Sequence, residues 1–122
     1  VIATGKTTTV RDFVKMAFAY AGIELAFKGE GANEKAVVVS CSNEKYQVEI
    51  GKEVVSVDPS YFRPTEVDLL IGDPTKANTK LGWIPEYNLE QLINEMMESD
   101  LKLMTKDQYL KDGGYTIMNY FE

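Results

Sequence analysis

The stretch Tyr61-Phe62-Arg63-Pro64-Thr65-Glu66-Val67-Asp68 holds the combination in this chain best suited to gripping a charged small molecule. A guanidinium presents a planar fork of N–H donors that matches phosphate oxygens two at a time. A carboxylate accepts hydrogen bonds from two vicinal hydroxyls, such as those of a ribose. The residue before a proline is biased toward extended backbone. Proline itself favours the second position of a type I turn, whose outer Cα atoms lie within about 7 Å. A turn over Arg63–Glu66 therefore sets guanidinium beside carboxylate, and the pair suits a nucleoside diphosphate. The competing reading is a plain Arg63–Glu66 surface ion pair, worth about 0–1 kcal/mol. On the residues alone, the ion pair is the stronger of the two readings.

Other chemistries find little support. The chain has no His and one Cys, so it offers no imidazole base, no His-ligated metal and no CxxC pair. There is no GxSxG elbow and no Walker loop. Gly29-Glu30-Gly31-Ala32-Asn33-Glu34 begins like a dinucleotide fingerprint. It lacks the third glycine and opens no apolar helix, so it reads as a surface loop. No Tyr is followed four residues later by Lys, which removes the proton-relay pair of many short-chain dehydrogenases. Glu66 and Asp68 are close in sequence, but nothing sets them around a reacting bond. Thirteen basic and nineteen acidic side chains leave a net charge of −6. That balance, with no strongly basic stretch, argues against nucleic acid as a partner. Apolar runs of only a few residues argue against a membrane span. Cys41 follows the apolar run Ala36–Ser40 and reads as a buried, inert thiol. A lone cysteine and no signal peptide predict a reducing, cytoplasmic setting. The opening Val-Ile-Ala-Thr-Gly, strand-like and without Met, suggests a piece of a longer chain.

The elements that would position Arg63 and Glu66 are mixed α/β. Val1–Thr4 reads as a short buried strand, followed by a polar loop whose last Thr residues suit a helix N-cap. Val10, Phe13, Val14, Ala17, Phe18 and Ala21 keep helical spacing, with Gly22 as the stop. Ile23 to Lys28 predicts a strand, and 29–35 a loop. Ala36–Cys41 and Tyr46–Ile50 predict a hairpin across Ser42–Lys45. Residues 53–58 and the run Asp68–Asp73 predict two more strands. Asp73 caps a helix with Pro74 at its first position, ending at Gly82, and Trp83 reads as a core aromatic. Asn88 and Gln91 form a capping-box signature. The helix they open carries Leu89, Leu92, Ile93, Met96, Met97, Leu101 and Met104 on one face. The last stretch, 107–122, breaks at Gly113-Gly114. If a partner domain is missing, some of these apolar faces are left exposed.

Val57-Asp58-x-x-Tyr61-Phe62-Arg63-Pro64-Thr65-Glu66-Val67-Asp68 is a long and unusual motif. With Gly72-Asp73-Pro74-Thr75-Lys76-Ala77-Asn78-Thr79-Lys80-Leu81-Gly82-Trp83 and the Leu/Met-rich helix, it resembles the C-terminal part of the GDP-mannose 4,6-dehydratase family, in the extended short-chain dehydrogenase/reductase superfamily. The opening Val1–Val14 also resembles that family's strand, loop and helix. The resemblance runs from Val1 to about Met104 and is less specific over about 28–51. It implies an α/β fold: the C-terminal substrate-binding portion, short strands plus three amphipathic helices, most of the Rossmann core lying in a missing N-terminal domain. The intact enzyme would dehydrate GDP-mannose to GDP-4-keto-6-deoxymannose, toward GDP-fucose. Bound NADP would take a hydride from sugar C4 and return it at C6. The family's cofactor-binding glycines and its Thr/Ser, Glu and Tyr–Lys catalytic residues have no counterpart here, so residues 1–122 would be inert alone. The resemblance assigns Arg63 to the diphosphate and Glu66 to the ribose hydroxyls, and implies a homo-oligomer when intact. Two other readings stay open: a stand-alone nucleotide-diphosphate-binding module, and an interaction domain in which Arg63 and Glu66 are a mere turn pair.

Overall fold

A computed structural model describes residues 1–66 and 69–118. Its contacts divide the chain into two units, Val1–Tyr87 and Asn88–Glu122.

The first unit is built on a helix and a sheet. Helix α1 spans Val10–Tyr20, and the Thr9 side chain accepts a hydrogen bond from the Asp12 amide at 3.0 Å. That caps one of the donors a helix start leaves unpaired. The apolar spacing of α1 turns Phe13, Val14, Ala17 and Phe18 inward, yet each is only half-buried. The helix packs on β1, Ile23–Lys28. Strands β1, β2 (Lys35–Cys41) and β3 (Glu53–Ser56) form an antiparallel sheet in that order. Ile23 faces Cys41 and Lys28 faces Lys35 across the first pair. The core of this unit is small. Ala21, Ile23 and Val38 are buried, with Phe18, Leu25, Cys41, Tyr46, Val48 and Val54 packed around them.

Three expected strands do not form among the described residues. Tyr46–Ile50 lies outside the ladder, because other groups satisfy the backbone there. The Asn43 side chain accepts from the amides of Lys45 and Tyr46. The backbone of Val38 pairs instead with Gly51 and Lys52, at 2.7 and 3.0 Å. Tyr46 and Val48 still reach the core; their alternating pattern reports side-chain burial without strand pairing. Val1–Thr4 and the described part of the run 68–73 also stand outside any ladder; Asp68 lies outside the described residues. An apolar run becomes a strand only when another backbone takes its hydrogen bonds, and these two find none among the described residues. They do touch each other: a methyl on Gly72 would stand 2.5 Å from the Ala3 Cβ and 3.4 Å from Val1 Cγ1.

The Asp-Pro-Ser/Thr sequence occurs twice in this unit, with one geometry. At Asp58-Pro59-Ser60 the carboxylate accepts from the Ser60 amide and hydroxyl at 2.9 and 2.7 Å, and the Tyr61 amide closes a turn onto the Asp58 carbonyl at 3.0 Å. At Asp73-Pro74-Thr75 the carboxylate accepts from the Thr75 amide and hydroxyl, and α2 follows over Thr75–Leu81. Asp73 thus bonds the first helical residue, but the cap position falls on Pro74, which has no side-chain cap bond, and the helix starts one residue later than expected. Trp83 is half-buried, and its carbonyl accepts from the Asn78 side chain.

The second unit holds α3, Leu89–Asp112, opened by a complete Asn88–Gln91 capping box. The helix runs eight residues past Met104 and stops at Gly113. Of the expected apolar face, Ile93 is buried, Leu89, Met97 and Leu101 are half-buried, and Leu92, Met96 and Met104 are exposed. Part of that face is thus left to solvent. Three α-helices are present among the described residues, and none is long and apolar enough to cross a membrane.

Candidate functional site

Arg63 and Glu66 lie on the exposed segment that follows β3. The hydrogen-bonded proline turn is not the one the sequence suggested. It forms one motif earlier, over Asp58-Pro59-Ser60-Tyr61, because Asp58 and Ser60 supply side-chain bonds that lock it. Over Arg63–Glu66 the chain bends at Pro64 and Thr65 without a backbone hydrogen bond closing the bend. Among the described residues, neither Arg63 nor Glu66 makes a hydrogen bond or an ion pair. The surface pair that competed with a ligand role is therefore not formed.

The bend has a support on its N-terminal side. The Phe62 ring lies over the glycine turn that joins β1 to β2: its Cζ and Cε2 are 3.8 and 3.9 Å from where a Cβ on Gly31 would stand. That turn is a short 3-10 helix, Gly31–Asn33, closed by the Asn33 and Glu34 amides. Its far end is tied to α1. Arg11 Nε donates to Glu34 Oε1 at 2.7 Å, and Nη2 donates to the same oxygen. Arg11 and Lys15 both lie 5.6 Å from the centre of the Phe27 ring on β1, at cation–π distance. Gly29–Glu34 is thus a surface loop, as expected, and also a seat for Phe62. The sequence carried a signal for it, two glycines spaced around a charged residue beside a strand end, without saying what the loop would touch.

The electrostatics are mild. Hydrogen bonds from the Ser60 hydroxyl and amide hold the Asp58 carboxyl below the usual carboxylate value, and the same bonds from Thr75 act on Asp73. Cys41 is half-buried, and its thiol points at the carbonyls of Asn43 and Tyr46. No group of three His, Cys, Asp or Glu among the described residues is placed to hold a metal ion. A groove of about 290 Å³ lies between Val1, Ile2 and the α2 residues Lys76, Ala77, Lys80 and Leu81. It contains neither Arg63 nor Glu66.

Comparison with known proteins agrees with the motif. A family model for GDP-mannose 4,6 dehydratase matches residues 1–96. A protein of Vibrio cholerae serotype O1 named GDP-mannose 4,6-dehydratase is 47% identical over 118 residues, covering 96% of this chain and 32% of the relative. A Yersinia enterocolitica protein of the same name is 46% identical over 118 residues, with the same coverage. The human GDP-mannose 4,6 dehydratase is 43% identical over 104 residues, covering 85% of this chain and 26% of the relative. The chain spans about a third or less of the length of these relatives. A family match over 1–96, with identity above 40% in bacterial and human relatives alike, establishes that this chain belongs to the GDP-mannose 4,6-dehydratase family.

Proposed function

We propose that this chain is the C-terminal, nucleotide-sugar-binding portion of an extended short-chain dehydrogenase/reductase that removes water from GDP-mannose to give GDP-4-keto-6-deoxymannose. One observation carries the reading: Arg63 and Glu66 share an exposed bend, and neither is paired among the described residues. A guanidinium and a carboxylate on one exposed bend, each without a partner among the described residues, are available to a ligand that brings both an anion and hydroxyls. Arg63 binds the diphosphate through a bidentate fork, and Glu66 accepts from the ribose hydroxyls. Both residues bind and orient the substrate; the proton and hydride transfers take place elsewhere.

The glycine turn after β1 does not fit NADP. It leads into a three-residue 3-10 helix and then β2. It therefore offers no helix N-terminus of the kind that holds a pyrophosphate. Cofactor binding and catalysis are assigned to sequence outside this chain, in an N-terminal domain of the intact, cytoplasmic, homo-oligomeric enzyme, and residues 1–122 alone are inert.

The test is calorimetric titration of the intact protein with GDP-mannose, with UDP-glucose as control. Arg63→Ala removes charge-assisted hydrogen bonds and is expected to weaken GDP-mannose binding about ten- to a hundredfold without loss of fold. Unchanged affinity in a folded Arg63→Ala protein would sink the assignment.

A further inference from the structure

The geometry points to Phe62 as a positioning residue: seated on the Gly29–Glu34 turn, it fixes the direction in which Arg63 and Glu66 meet the nucleotide. This inference rests on the ligand role proposed for Arg63 and Glu66.

Three observations support it. Phe62 is adjacent to Arg63 in sequence, and its ring is in van der Waals reach of the space above Gly31. The turn beneath it is stiff. A Cβ on Gly29 would strike the Asn33 carbonyl oxygen, so the loop closes tightly on itself, and the Glu34 end is tied to α1 by Arg11. On the other side of Phe62, the Asp58–Tyr61 turn is locked by the two hydrogen bonds that Ser60 donates to Asp58. Phe62 therefore joins a hydrogen-bonded turn to a fixed seat, and Arg63 is the first residue beyond them. Residues 63–66 themselves carry no internal hydrogen bond or ion pair. Their orientation is inherited from Phe62, since nothing within the bend sets it. A long side chain that must meet a phosphate in a defined plane loses affinity when its Cα is free to swing. The aromatic ring and the glycine lie against each other: a Cβ at position 31 would stand in ordinary van der Waals contact with the ring.

The experiment is a double-mutant cycle on the intact protein, titrated with GDP-mannose and melted in parallel. Phe62→Ala is expected to weaken binding about tenfold, with the melting temperature little changed. Phe62→Leu, which keeps an apolar body over Gly31, is expected to recover most of the loss. In an Arg63→Ala, Glu66→Ala background, Phe62→Ala is expected to cost nothing further, because it acts through those two side chains. Gly31→Ala, which strains a residue at φ +58° and so disturbs the seat, while its Cβ would only touch the ring, is expected to reproduce the loss with Phe62 intact. It serves as the reporter if Phe62→Ala does not fold. Full affinity in Phe62→Ala, or in a folded Gly31→Ala, overturns the inference. So does a loss that persists undiminished in the Arg63→Ala, Glu66→Ala background. If Arg63→Ala alone binds as tightly as the parent, the ligand role itself has failed, and the cycle shows that separately.

Discussion

Gly29 and Gly51 hold nearly the same backbone torsion, φ +82° and +88°, in opposite surroundings. At Gly51 an added Cβ meets nothing within 4 Å; at Gly29 it overlaps the Asn33 carbonyl oxygen and stands 3.1 Å from the Asn33 carbonyl carbon. Replacing either with Ala costs about 1–2 kcal/mol for holding an L-residue in the left-handed region. At Gly29 the clash adds to this. It is relieved only by opening the turn, which is closed by the Asn33 amide on the Glu30 carbonyl at 3.1 Å and the Glu34 amide on the Gly31 carbonyl at 3.2 Å. Losing one or both of those bonds adds about 0.5–3 kcal/mol. Gly29→Ala is thus expected to cost about 1.5–5 kcal/mol and Gly51→Ala about 1–2. Hydrogen exchange measures this locally and does not require a single unfolding transition. The Asn33 and Glu34 amides in Gly29→Ala are expected to exchange about tenfold to a few thousandfold faster than in the parent. The Lys52 amide in Gly51→Ala, which donates to the Glu49 carbonyl, is expected to speed up about thirtyfold or less. Equal acceleration in the two variants would mean that the Gly29 turn is not closed as described, and the stiff seat for Phe62 would go with it.

Arg63→Lys retains charge but loses the planar fork, and is expected to bind GDP-mannose less tightly than the parent and more tightly than Arg63→Ala; equal affinity for Lys and Arg would count against a bidentate phosphate contact. Carbon-detected titration is expected to place Asp58 and Asp73 below the ordinary carboxylate midpoint, with the Ser60 and Thr75 hydroxyls as the largest causes. Ser60→Ala and Thr75→Ala are then expected to move the respective midpoint up. A carboxyl whose folded value is depressed adds stability above its unfolded value, about 3.9, and loses it as pH falls through the lower folded one. These two groups should therefore leave stability flat from pH 5 to 8 and contribute only to acid unfolding, on the scale read from those midpoints. In the second unit, Asn88→Ala removes the side-chain bond to the Gln91 amide and is expected to cost about 1 kcal/mol of helix stability, with Asn88→Asp retaining it. Faster amide exchange at Gln91 in the Ala variant alone would confirm the cap.

What the sequence determined by itself is local. Helix starts are written in side chains that bond their own backbone, so Thr9, Asp73 and Asn88 marked three helix starts to within a residue or so. Strands β1, β2 and β3 also fell close to their expected places, because β-branched residues packed against one another suit a pleated surface. The motif at 57–68 marked the family, since a long run of unusual residues is information that no folding argument need supply. Ladder partners were decided only in three dimensions. Val1–Thr4, Tyr46–Ile50 and the run 68–73 share the composition of strands, but strand formation is a property of a pair, and a single sequence does not name the other member. The same holds at the site. Arg63, Pro64 and Glu66 suggested a closed turn, while the hydrogen bonds went to Asp58–Tyr61, where two side-chain bonds compete better than a bare proline. That Phe62 rests on Gly31, thirty-one residues away in the chain, follows from the antiparallel sheet bringing the two loops together; no spacing within either loop encodes it.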